Sequence, residues 1–178
     1  MFEIILPETK PALEWINGRA LQKVSPQRKH ALAQGRFFAA LDAWAQATAA
    51  GMVGTEWRFQ IQPPNEERRP LVPDVAFLSY RRLPYEIQQV TDVPRVAPDA
   101  VVEVVSPDDR TVDIDEKIRV YLAAGTDVIF LVDPIGQVVT VRDPKGCRAI
   151  DAAGTIAHES LPGFQLVARN LFTLPRPK

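Results

Sequence analysis

Residues 100–133 read AVVEVVSPDDRTVDIDEKIRVYLAAGTDVIFLVD, and this stretch decides the fold. Two short runs of mostly branched apolar residues flank a segment in which apolar residues recur at helical spacing. We predict a strand from Ala100, a helix over 113–125 that stops at Gly125, and a second strand over 128–133. Because a helix joins the two strands, they should lie parallel, with a right-handed crossover.

Glu103 is unexpected in the first of these strands, because two valines precede it and two follow it. Such a run is typical of a strand buried on both faces. A buried carboxylate without a partner is costly. Glu103 therefore needs a compensating positive charge, from either a protein side chain or a metal ion.

The flanking sequence predicts a hairpin, a long helix and further strands. Asn17-Gly18 is a strong signal for a two-residue turn and predicts a hairpin over about 11–24. A helix is expected from Pro26 to about Thr48, with Ser25 as its N-cap. Three more strands are expected over 55–61, 71–79 and 137–143.

These elements predict a mixed α/β (α+β) fold, in which helices pack against a mixed central sheet. The chain has 178 residues, which suffice for a single domain with a sizeable core. We expect this domain to contain the N-terminal hairpin over about 11–24, a central core over about 26–143, and C-terminal edge strands with a tail over 144–178.

Composition limits the class of protein. The chain is 46% hydrophobic and 24% charged, as in ordinary globular proteins. No apolar run approaches the roughly 20 residues of a membrane span, and the N-terminus lacks the features of a signal peptide. The single cysteine, Cys147, cannot form an internal disulfide, so a cytoplasmic location is expected. The net charge of -1 argues against a broadly basic surface for nucleic acid, but it allows a local basic patch or a bound metal.

Two acidic residues and one lysine should converge in this fold. Asp74 lies inside the predicted 71–79 strand, Glu103 lies in another strand, and Lys117 lies on the helix that follows. Carboxylates from neighbouring strands can approach one point, and such oxygen ligands suit Mg²⁺ or Mn²⁺. The backbone carbonyl of Val104 could complete the protein's share of the ligands. Lys117 could then orient an attacking water or stabilise charge on a phosphate oxygen.

This arrangement resembles the PD-(D/E)xK nuclease superfamily and, within it, the Uma-type family of restriction-endonuclease-like proteins. The resemblance runs from about Leu13 to Arg142 and is carried by INGRALQKVSPQRKH, LVPDVAFL, PDAVVEVVSPDDR, DIDEKIRVYLAAG and VIFLVDP. It implies a restriction-endonuclease-like fold and a Mg²⁺-dependent endonuclease that cleaves DNA, with Asp74 and Glu103 as metal-binding acids. We also expect a homodimer, in which two sites address two strands.

The chain departs from the usual superfamily motif at one position. The motif places a lysine two residues after the second acid, where this chain has Val105. The Uma-type family carries a lysine on the following helix, and Lys117 matches it. The resemblance also matches His30 to a helix-borne histidine and Glu56 to an acid on the strand before Asp74, which makes both of them candidate accessory residues.

Each site residue also has a purely structural interpretation. Asp74 could bond backbone amides at a strand end, Glu103 could pair with a buried arginine, and Lys117 could pair with Asp113 on an exposed helix face. The alternative function is a catalytically weak or inactive nuclease-fold dimer that binds nucleic acid or regulates a protein partner. A third hypothesis is a purely structural dimerising domain, which would be supported if Asp74 and Glu103 pointed away from each other.

Overall fold

The computed structural model of the protein describes residues 2–23 and 27–174. The helices are α1 (Arg28–Thr48), α2 (Tyr85–Gln88) and α3 (Thr111–Ala123), and a 3-10 turn covers Ala168–Leu171. The strands before α2 are β1 (Leu13–Ile16), β2 (Arg19–Gln22), β3 (Gly51–Thr55), β4 (Phe59–Ile61), β5 (Arg69–Leu71) and β6 (Val75–Ser79). The strands after α2 are β7 (Ala100–Val104), β8 (Val128–Asp133), β9 (Val138–Asp143), β10 (Gly146–Ile150), β11 (Thr155–Ile156) and β12 (Leu166–Val167).

The central sheet has six strands in the order β10-β9-β8-β7-β6-β3. The β7–β8 pair is parallel, and the other neighbouring pairs in this sheet are antiparallel. Helix α3 joins the two parallel strands, which confirms the predicted strand–helix–strand unit and the mixed sheet. Smaller antiparallel pairs, β1–β2, β4–β5 and β11–β12, surround the sheet. None of the described helices has the length and apolar content needed to cross a membrane.

Apolar side chains pack on both faces of the central sheet. Val102 and Val104 belong to the core on the α1 face, with Phe37 of that helix. Val101 belongs to the core on the opposite face, with Tyr121 of α3. Because side chains alternate along a strand, Glu103 shares the face of Val101 and points toward α3.

The N-terminal hairpin forms at the predicted turn. Asn17 and Gly18 have φ values of +48° and +71°, the left-handed conformation that a two-residue hairpin turn requires at both positions. The predicted N-cap Ser25 and first helical residue Pro26 lie outside the described residues. The described helix begins at Arg28 and ends, as predicted, at Thr48.

Two predicted strands are interrupted. The strand expected over 55–61 is wrong, because β3 ends at Thr55 and Glu56 adopts φ +50° before β4 begins. The strand expected over 71–79 is also broken, because β5 ends at Leu71 and β6 begins at Val75. Pro73 lies in this second break, and a proline cannot donate to a strand ladder. The breaks matter because they place acidic side chains and backbone groups without a strand partner near the start of β6.

Candidate active site

Asp74 and Glu103 lie across from each other at the ends of adjacent antiparallel strands. Val75 pairs with Val102 in the β6–β7 ladder. The same register places Asp74 opposite Glu103, and residues opposite each other on antiparallel strands project from the same face. Both side chains line one cavity of about 250 Å³. They do not point away from each other, so the observation that would have supported a structural dimerising domain is not made.

Asp74 is buried and holds three polar contacts. Its Oδ1 accepts a hydrogen bond from Lys23 Nζ at 2.6 Å, and its Oδ2 accepts one from the backbone N–H of Val104 at 2.7 Å. His30 Nε2 lies 3.3 Å from the same Oδ2. Burial acts to raise the pKa of Asp74, but the Lys23 ammonium and the His30 hydrogen bond outweigh it and hold the pKa well below its ordinary value. Asp74 is therefore an ionised carboxylate.

Glu103 forms an ion pair with Lys117, not with an arginine. The Lys117 Nζ lies 2.7 Å from Glu103 Oε2 and 3.1 Å from Glu14 Oε2. The second oxygen of Glu103, Oε1, has the Tyr121 hydroxyl at 3.4 Å, which is a long hydrogen bond. The structure thus brings Glu103 and the helix-borne lysine into direct contact, and leaves Oε1 as the less engaged oxygen.

Burial and neighbouring carboxylates raise the pKa of Glu103 to about 8. Lys117 opposes this rise, but its positive charge is shared with Glu14, and Asp74 adds a further negative charge nearby. Burial works to lower the pKa of Lys117, but Glu103 and Glu14 outweigh it and raise that pKa above its ordinary value. Lys117 therefore stays protonated, and Glu103 is the carboxyl that takes up a proton when the site carries too much negative charge.

The alternative pairing of Lys117 with Asp113 is wrong. The Asp113 carboxylate instead accepts hydrogen bonds from Asn17 Nδ2 at 2.7 Å and from Arg19 Nη2 at 2.8 Å. These contacts fasten the β1–β2 hairpin to the first turn of α3. Asp113 is thus a structural residue that holds the hairpin against the helix carrying Lys117.

Two residues of the N-terminal hairpin segment, Glu14 and Lys23, also lie in the site, although the sequence did not predict them. Glu14 Oε1 accepts a hydrogen bond from the Val72 N–H at 2.7 Å, and Lys23 Nζ donates one to the Val72 carbonyl at 2.8 Å. Val72 lies in the break between β5 and β6, so these side chains satisfy backbone groups that a strand partner would otherwise bond. Glu14 had one signal in the sequence: it shares the inward face of β1 with the buried Ile16.

The two accessory candidates also join this cluster. His30 contacts Asp74, as described above. Glu56 lies just beyond β3, with Oε2 at 3.2 Å from Lys23 Nζ and Oε1 accepting a hydrogen bond from Gln34 Nε2 at 3.1 Å. Glu56 has a left-handed backbone conformation, and its N–H donates a hydrogen bond to the Asp74 carbonyl, just before the start of β6.

Charge counting shows that the cluster is short of positive charge. It holds four carboxylates, which belong to Glu14, Glu56, Asp74 and Glu103, and the ammonium groups of Lys23 and Lys117. With all six groups ionised the count is two positive against four negative, a surplus of two negative charges. Burial, together with this imbalance, raises the pKa of Glu103 to about 8, so without a further cation most of the Glu103 carboxyl is protonated at pH 7.

The residues present fit a hard divalent cation. Among residues 2–23 and 27–174, no three His, Cys, Asp or Glu side chains are already arranged around a common metal position. The described cluster nevertheless supplies carboxylate oxygens, which suit Mg²⁺ or Mn²⁺. With Glu103 ionised, its surplus of two negative charges equals the charge of one such ion, and Glu103 Oε1 has only the long 3.4 Å contact with the Tyr121 hydroxyl. Asp74 and Glu103 would be the residues that hold the ion.

Comparisons with known proteins agree with this architecture. The model of the Uma2 family, described as "Putative restriction endonuclease", matches residues 2–169. A crystal structure of "a putative nuclease belonging to DUF820" from Anabaena variabilis superimposes with a TM-score of 0.83 at 27% sequence identity, and the match covers 94% of this chain and 93% of that one. No curated protein matches this chain. Since the family model spans nearly the whole sequence, the chain belongs to the Uma2 family of restriction-endonuclease-like proteins.

Proposed function

We propose that this chain is a divalent-metal-dependent endonuclease that hydrolyses phosphodiester bonds in DNA. The observation that carries the proposal is the meeting of Asp74 and Glu103 in one cavity, with the Lys117 ammonium 2.7 Å from Glu103. With Glu103 ionised, the cluster around them would carry two surplus negative charges, which a divalent cation would balance. The family match to restriction endonucleases supports a nucleic-acid substrate.

Asp74, Glu103 and the carbonyl of Val104 would hold Mg²⁺ or Mn²⁺. When bound, such an ion lowers the pKa of a coordinated water and polarises the phosphate. Lys117 cannot deprotonate water, because its pKa is raised and it keeps its proton. Its role is to hold the attacking water or to donate a hydrogen bond to a phosphate oxygen as negative charge develops there. His30 would hold Asp74 in place.

Two arginines at the rim of the cavity would contact the DNA backbone. Arg19 and Arg110 both line the cavity, and their side chains are 45% and 64% exposed. Both lie close to Asp113, which limits but does not remove their attraction for phosphate. A local pair of cations of this kind is compatible with the overall net charge of -1.

The experiment is cleavage of supercoiled plasmid with Mg²⁺ or Mn²⁺, compared with EDTA. The wild-type protein should nick the plasmid only with added metal, and both Glu103→Gln and Asp74→Asn should abolish nicking. Glu86→Gln, on the exposed short helix α2, is the matched control and should cleave like the wild type. Equal nicking by all four proteins would point to a contaminating nuclease and refute the proposal.

A second candidate function is nucleic-acid or protein binding without cleavage. It is favoured by the observation that each of the four carboxylates already contacts a lysine ammonium in this structure. Under this hypothesis the protein retards a DNA duplex or a partner in EDTA, and metal adds no cleavage. The plasmid experiment separates the two functions when it is run beside a gel-shift titration.

We also propose that the protein acts as a homodimer, because two sites are needed to cut two strands. Light scattering on a sizing column should give about twice the chain mass of 19.8 kDa. A monomer that makes only single-strand nicks would contradict this part of the proposal.

A further inference from the structure

The Lys23 side chain ends among three oxygen atoms. Its Nζ lies 2.6 Å from Asp74 Oδ1, 2.8 Å from the Val72 carbonyl and 3.2 Å from Glu56 Oε2. The side chain is only 12% exposed. An ammonium group has three hydrogens to donate, so these three acceptors satisfy it completely.

This oxygen set has the composition of a hard-metal site. Two carboxylates and one main-chain carbonyl are the ligands that proteins offer to Mg²⁺, Mn²⁺ and Ca²⁺. The distances from Nζ are those of N–H···O hydrogen bonds, and they exceed the roughly 2.1 Å of a Mg²⁺–oxygen bond by about 0.5 to 1.1 Å. The Lys23 ammonium is therefore surrounded by the kinds of oxygen atom that surround a bound metal cation. It carries one positive charge, whereas a divalent ion would carry two.

The charge of the cluster makes this ammonium necessary. Without Lys23, the four carboxylates, when all are ionised, would face Lys117 alone, a surplus of three negative charges; three of these carboxylates are largely buried, and Glu56 is 44% exposed. One divalent ion between Asp74 and Glu103 would not neutralise that surplus. Burial works to lower the pKa of Lys23, but Asp74 and the other carboxylates outweigh it and keep the lysine protonated.

We propose that Lys23 is the built-in second cation of this site. In this chain it holds Asp74 and Glu56 as a second divalent ion would, so the site takes one metal ion fewer than its carboxylates could otherwise bind. Lys23 is thus a positioning residue: it acts through Asp74, whose Oδ1 it fixes. The inference deepens the proposed nuclease function by assigning a one-metal site, and the count of bound ions tests it separately from cleavage.

The experiment counts Mn²⁺ bound per chain by equilibrium dialysis in the wild type, Lys23→Met and Lys23→Arg. Lys23→Met should bind one more Mn²⁺ than the wild type, and Lys23→Arg, which keeps the charge, should match the wild type. Lys145→Met removes a lysine whose side chain is 73% exposed, outside the cluster, and should also match it. Equal counts in the wild type and Lys23→Met would overturn the proposal, whether that count is one or zero.

The two proposals fail differently. A wild-type chain that binds no Mn²⁺ contradicts the metal-dependent nuclease, while a gain of one ion in Lys23→Met still supports the role of Lys23. If Lys23→Met does not fold in EDTA, Lys23→Gln and a thermal-unfolding readout take its place. Mn²⁺ should then raise the unfolding midpoint more in the variant than in the wild type. Equal increases would overturn the inference.

Discussion

Lys117 of α3 and Glu103 of β7 are fourteen residues apart in sequence, and their Nζ and Oε2 atoms lie 2.7 Å apart. This contact answers the problem posed by a glutamate among valines. Strand β7 buries the Glu103 carboxylate, and Lys117 of the crossover helix that follows contacts it. The ion pair does not fully compensate the burial, because Lys117 also serves Glu14 and the pKa of Glu103 is raised to about 8.

The raised pKa of Glu103 predicts how its substitution changes stability with pH. The folded protein holds the Glu103 proton more tightly than the unfolded chain, whose pKa lies near the ordinary value of 4.5. The stabilisation is therefore complete below pH 4.5 and is lost as the pH rises toward 8. Gln mimics the protonated form, so Glu103→Gln should gain stability relative to the wild type over this range, by about 1–3 kcal/mol at pH 9.

Thermal unfolding in EDTA between pH 5 and pH 9 provides the measurement. The gap in unfolding midpoint between Glu103→Gln and the wild type should widen by about 3–8 °C across this range. Glu86→Gln, a control on the protein surface, should show a constant gap. A gap that stays constant with pH would mean that Glu103 is ionised throughout this range and would contradict the raised pKa.

Replacement of Lys117 should separate catalysis from metal binding. Lys117→Met removes the donor that we assign to the water or the phosphate, and the plasmid cleavage rate should fall about 100-fold or more. Mn²⁺ binding should remain, since Asp74 and Glu103 are intact. Lys29→Met, on an exposed position of α1, is the control and should cleave normally. Full activity in Lys117→Met would transfer the catalytic role to another residue.

Two substitutions of Glu14 should lower the stability of the fold by different amounts. Its Oε1 accepts the hydrogen bond of the buried Val72 N–H, so Glu14→Ala should leave that amide unpaired and lower the free energy of unfolding by about 1–3 kcal/mol. Glu14→Gln keeps an oxygen for the amide and should lose less. Urea unfolding of both variants measures the difference. Equal losses would show that the charge of Glu14, and not its bond to Val72, stabilises the fold.

The contacts of Asp113 predict that the stability of the β1–β2 hairpin depends on its attachment to α3. Asp113→Ala removes the acceptors of Asn17 and Arg19, which should lower the free energy of unfolding by about 1–3 kcal/mol and weaken hydrogen-exchange protection in β1 and β2. Asp115→Ala is the matched control. The Asp115 side chain is 59% exposed, and its contact with Arg142 is long, at 3.9 Å. Unchanged exchange in the hairpin of Asp113→Ala would show that other contacts anchor it.

Local sequence patterns predicted the structure correctly wherever a feature depends on a single helix, strand or turn. The Asn17-Gly18 turn, the strand–helix–strand unit from Ala100 and the end of α3 at Ala123, two residues before Gly125, follow from backbone preferences and from alternating or helical apolar spacing. The two broken strands were missed for opposite reasons. Pro73 signalled a break that the apolar run around it obscured, whereas the left-handed conformation of Glu56 has no signal in its residue type.

The sequence by itself determined the mixed sheet, the βαβ unit and the candidacy of Asp74, Glu103 and Lys117, because periodicity and motif spacing are properties of neighbouring residues. Only the tertiary structure decided that Glu14 and Lys23 complete the site. They arrive from a hairpin that packs across the gap between β5 and β6, 58 and 49 residues away from their Val72 contacts. Contacts between residues so far apart in the sequence depend on how whole helices and strands pack together. Patterns within a single sequence do not reveal that packing.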